Sequence, residues 1–80
     1  MRTQTFITEL DAVRNALYQQ LKFILNQIAI HHHNQDEEQK EQFLQQRFAI
    51  EKTISKLTVI IRAEADLVLT DIIEGQHDNA

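Results

Sequence analysis

Large apolar side chains recur at Phe6, Leu10, Val13, Leu17, Leu21, Ile24 and Ile28, in steps of three and four residues. Successive residues on an α-helix turn by about 100°, so this spacing keeps them on one side of a helix, whereas a strand would need alternation. A second run, Phe43, Arg47, Ile50, Ile54, Leu57, Ile61, Ala65, Val68 and Ile72, has the same period. Proline is absent and Gly75 is the sole glycine, so the breakers that would interrupt either run are missing. The spacing predicts an all-α chain with helices over about 5–31 and 36–74, joined by a turn at about 32–35.

The boundaries follow from capping chemistry. Thr3 or Thr5 can cap the first helix, and Glu9 and Asp11 lie near its positive end. Asn34 or Asp36 can accept an N–H bond at the start of the second, and Asp36, Glu37, Glu38 and Glu41 load its first turns with negative charge. Gly75 stands where a left-handed glycine would close that helix, leaving a frayed tail over 75–80.

Two long helices and a short connection form an antiparallel hairpin, one domain spanning 1–80. With the turn centred near Asn34, residues whose numbers add to about 67 face each other, setting Phe6 against Ile61 and Leu17 against Ile50. Helix 2 then overhangs its mate at Asp66-Leu67-Val68-Leu69-Thr70-Asp71-Ile72-Ile73, unless it kinks near 62–66 and folds back.

This arrangement leaves apolar surface unused. Ala16, Phe23 and Ile30 form a second seam on helix 1; Leu44, Phe48 and Val59 lie on one flank of helix 2, Ile60 and Leu67 on the other. A hairpin has one interfacial layer, and eighty residues without cysteine cannot supplement it with disulfides. Dimerisation into a four-helix bundle is the expected remedy. Phe23, Ile30, Phe48, Val59, Ile60, Leu67, Leu69 and Ile73 are the candidate contact residues, with burial rather than chemistry as their role.

The stretch Ile30-His31-His32-His33-Asn34-Gln35-Asp36-Glu37-Glu38 invites a metal reading. Three consecutive histidines on a helix diverge, however, and helical chelates favour separations of three or four residues, so His31, His32 and His33 are weak metal candidates. A structural turn is the first reading, pH sensitivity the second and metal binding the third. No cofactor is expected.

Arg47 is the one charged residue placed squarely in the helix 2 stripe, with Glu51 or Gln20 as possible partners or its head snorkelling to solvent. Glu64 falls at the stripe edge and reads as solvated. Enzymatic use of any carboxylate needs a concave site that two helices do not provide, so no catalytic residue is assigned.

Eight basic and twelve acidic residues give a net charge of −4. Residues 1–34 carry Arg2, Arg14 and Lys22 against Glu9 and Asp11, or +1; residues 35–80 carry five basic and ten acidic groups, or −5. That balance opposes broad attraction to nucleic acid or anionic membranes. A hairpin that dimerises into a bundle is similar, in architecture only, to the Rop-type plasmid RNA-binding proteins. The resemblance implies a nucleic-acid-binding regulator, but Arg2, Arg14 and Lys22 share no compact face. No apolar run approaches a membrane span and no signal peptide is evident, so a cytoplasmic location is expected. The function expected is a non-enzymatic interaction module, an adaptor, chaperone-like or inhibitory partner that binds itself or another helical protein.

Overall fold

The computed structural model describes residues 4–78. Two helices, α1 (Gln4–His33) and α2 (Glu37–Asp78), pack antiparallel into a rod extending 67 Å by 15 Å by 15 Å. The all-α hairpin is therefore the fold. At about 1.5 Å per residue the 42 residues of α2 alone span roughly 63 Å, so α2 sets the length of the molecule.

α2 runs through 62–66 without interruption, and no fold-back occurs there. Gly75 is also helical; no glycine has a positive φ among the described residues. Its expected role as a left-handed cap is therefore incorrect, and the helix continues through Asp78 across part of the expected tail. A glycine favours a C-cap but does not impose one when the following residues continue the helix. Thr5 lies within α1 and is not its cap, while Thr3 is outside the described residues.

The left-handed residue is Gln35, with φ of 60°. The Asp36 N–H donates to the His31 carbonyl at 2.9 Å and the Gln35 N–H to the His32 carbonyl at 3.2 Å. These are the 6→1 and 5→2 bonds of a Schellman closure, with Gln35 at the position usually given to glycine. Asp36 then starts α2: its Oδ1 accepts the Gln39 N–H at 3.3 Å, the bond expected of an N-cap. Asp36 rather than Asn34 is the cap, and one residue serves both helix ends.

This joint moves the register. Arg14 meets Thr58, numbers that add to 72, and His31 stacks on Phe43, which add to 74. The expected sum was too small because α1 runs two residues further than expected, to His33, and the reversal centres on Gln35 and Asp36. Phe6 is thus not opposite Ile61, nor Leu17 opposite Ile50.

The phase of α1 differs as well. Its inward residues are Ile7, Leu10, Arg14, Leu17, Leu21, Ile24, Ile28 and His31, alternating steps of three and four, while Phe6 and Val13 are exposed. Leu17, Leu21 and Ile24 set the phase, and a 3.5-residue seam continued backward from Leu17 meets Arg14 and Ile7. On α2 the seam is Phe43, Arg47, Ile50, Ile54, Leu57, Ile61, Glu64 and Val68, so Glu64 rather than Ala65 faces inward and is half-buried. Only Ile24 and Ile54 are buried among the described residues, at 1% and 7% exposure.

Candidate interaction faces

A seam on each helix divides the hairpin surface into two broad faces. With heptad letters a and d on the seams, positions e and b lie on one flank and g and c on the other. Arg14, at a, bonds Asp11 Oδ1 at 2.7 Å and Thr58 Oγ1 at 3.2 Å; Asp11 and Thr58 are both e positions. Gln4, Ala65 and Ile72, three more e positions, line one groove with Ile7, Val68 and Leu69. The e flanks therefore meet on one face, which leaves the two g flanks together on the other.

The e/b face is mixed. Phe48 and Leu69 are exposed there beside Tyr18, Leu25 and Ile72, but Asp11, Lys22, Glu51 and Arg62 are interspersed among them. The groove at its open end, about 290 Å³, is shallow and lined largely by aliphatic side chains. Val68, expected in an uncovered overhang, lines that groove beside Ile7, and Gln4, the first described residue of α1, stands level with Leu69. The described part of α1 therefore reaches further along α2 than expected. Nearer the turn, Arg47 Nε donates to Glu51 Oε1 at 2.7 Å with both side chains nearly half exposed. Arg47 is thus a snorkelled residue with a local partner; an exposed pair of this kind contributes little to stability.

The g/c face carries fewer charges, its polar residues in the turn half being mainly Gln20, Gln27, Gln39, Gln42 and Gln46. Phe6 and Val13, displaced from the seam, join Ala16, Phe23 and Ile30 in one row along α1, with Ile60 and Leu67 beside them on α2. In the observed register Phe6 is level with Leu67 and Val13 with Ile60, both pairs adding to 73. Glu9 and Lys56 are the charged residues of this face along the two-helix part.

All eight candidate contact residues are exposed. They do not share one face: Phe23, Ile30, Ile60 and Leu67 lie on g/c, Phe48 and Leu69 on e/b, and Val59 and Ile73 at f positions facing away from α1. Sequence reasoning missed Phe6 and Val13 as surface residues and Arg14 as an interior one. A strict 3.5-residue count from Leu17 is the signal that finds them.

The histidines separate. His31 stacks on Phe43 with ring centroids 5.5 Å apart and lies 3.6 Å from Asp36 Oδ2, while His32 Nδ1 lies 3.3 Å from Lys40 Nζ, and His33 is exposed. Among the described residues no three histidine or carboxylate side chains converge as a metal site, and no helix is long and apolar enough to cross a membrane. Comparison with protein-family models, curated proteins and solved structures finds no match to this chain.

Proposed function

We propose that the chain is a non-enzymatic interaction module whose apolar helix faces are covered by a partner, either a second copy or another helical protein, in an adaptor, chaperone-like or regulatory role. One observation carries this reading: among the described residues two large apolar side chains are buried, while thirteen are at least 39% exposed. Full burial of a Leu, Ile or Phe contributes roughly 1.5–3 kcal/mol, and with the other seam residues only partly buried the hairpin alone has little to set against the chain entropy of two long helices. The uncovered side chains are the reserve from which stability must come.

The basic residues give less support to nucleic-acid binding. Arg14 pairs with Asp11, Lys40 with Glu37 at 2.9 Å and Arg47 with Glu51, so each is partly neutralised within the hairpin.

Chemical unfolding followed by circular dichroism over a dilution series tests the reading. The expected result is a midpoint that falls with dilution, and loss of cooperative unfolding once the chain is monomeric. A monomer that unfolds cooperatively at the highest dilution overturns it.

A further inference from the structure

We infer that the g/c face binds a second copy of this chain, face to face and antiparallel, with the turn of one hairpin beside the open end of the other. This rests on the interaction reading and commits it to one face, one occupant and one orientation.

Size and polarity select the face. Its outline, 67 Å by 15 Å, projects to about 1,000 Å², against roughly 800 Å² buried per partner in a standard specific interface. Glu9 and Lys56 balance within the two-helix part, so the face does not repel its own copy despite the net charge of −4. The e/b face carries six charged residues, Asp11, Lys22, Glu37, Glu41, Glu51 and Arg62, and is less easily desolvated.

The order of residues selects the orientation. The midpoint of α2 lies between Leu57 and Thr58, and with level residues adding to 73 it matches residues 15 and 16 of α1. A two-fold axis at that level overlays the full length of both α2 helices, so the end beyond Ile72 is covered by the partner's turn half. The same axis carries the level of Phe23 to residue 8 of α1 and residue 65 of α2, within about 3 Å of rise of Phe6 and Leu67. Lys56 of one copy comes within about 7.5 Å of rise of Glu9 of the other, by about five residues at 1.5 Å each. A parallel arrangement would instead bring Glu9, Lys56 and Glu74 each level with its own copy.

Light scattering and sedimentation of the full chain, with charge placed on one face at a time, test the inference. The expected result is a dimer at micromolar concentration, weakened on the order of 100-fold by Phe23→Glu or Leu67→Glu. Phe48→Glu and Leu69→Glu on the other face should change the dissociation constant by less than about threefold and report that the hairpin still folds.

Orientation is read independently from a single spin label. The chain has no cysteine, so Asn26→Cys at an exposed f position gives one label per copy. Antiparallel packing separates the two labelled levels by about 32 Å along the axis, roughly twenty-one residues of rise; parallel packing brings them level. Dissociation by the e/b substitutions instead, or labels at one level, overturns the inference while leaving the interaction reading intact. A wild-type chain that stays monomeric and does not unfold cooperatively has the same consequence. A cooperatively folded monomer removes both.

Discussion

The two ends of the hairpin are held together by different means. At the turn, His31, His32, Gln35, Asp36, Gln39, Lys40 and Phe43 are tied by directional contacts: the Schellman bonds, the Asp36 cap, an imidazole-on-phenyl stack and two short polar contacts to histidine. At the open end Ile7 meets Val68, Leu69 and Ile72 around a groove of aliphatic side chains. Directional contacts fix which residues stand level, whereas apolar contact tolerates sliding. Register is thus set at the turn and transmitted outward, and the open end contributes burial without much specification.

The largest effect should come from Ile24, in the turn half. Ile24→Ala removes the most buried side chain and should destabilise by about 2–5 kcal/mol, whereas half-buried Ile7→Ala at the open end should cost roughly half that or less. Denaturant melts of the two variants, run at one protein concentration, measure the contrast; equal losses would erase it.

Gln35→Gly comes next and acts in the opposite direction. A left-handed conformation costs a residue with a side chain about 1–2 kcal/mol relative to glycine, so this variant should be more stable by about 1 kcal/mol, read as a higher melting midpoint. Asp36→Ala should lose about 1 kcal/mol, from the cap bond to Gln39 and the contact with His31 together. Its chemical shifts should change around 30–40 and leave the groove residues alone.

Gly75→Ala is the smallest test. A Cβ there meets nothing within 4 Å, so the gain is that of helix propensity alone, at most about 1 kcal/mol, and should be seen as extra helicity rather than a shifted midpoint. A loss of helicity would mean that residue 75 needs a left-handed backbone.

The same division explains what the sequence made legible. Helix identity, the hairpin and the acid-rich start of α2 follow from local rules: three-and-four spacing, absent proline and charge at a positive helix end. Phase and register did not follow. Val13 and Arg14 differ by one position, and hydrophobicity alone favours Val13 for the interior; only the 3.5-residue period of paired helices places Arg14 there, where Asp11 and Thr58 satisfy part of its guanidinium. Likewise, composition points to the only glycine for a left-handed residue, whereas the backbone places it at Gln35, because closing α1 directly onto the cap of α2 requires a left-handed residue at that point. The histidines were legible as a turn, but the stacking of His31 on Phe43 depends on a register that no local pattern encodes.

The joint at Asp36 also bears on how this chain tolerates changes in length. One residue inserted between Gln35 and Glu37, with the rest of the joint preserved, would rotate all of α2 by about 100°. Gln42, Gln46, Ala49, Thr53, Lys56, Ile60, Ala63 and Leu67 would then occupy the eight inward places from Phe43 to Val68. A deletion would turn Leu44, Phe48, Glu51, Ser55, Thr58, Arg62, Ala65 and Leu69 into the same places. Either change replaces most of the aliphatic seam with polar or small side chains, and lengthening leaves Ile60 and Leu67 as the only large aliphatics facing α1. The length of the joint is therefore held by the composition of the seam: a one-residue error in the loop is felt along the whole of α2.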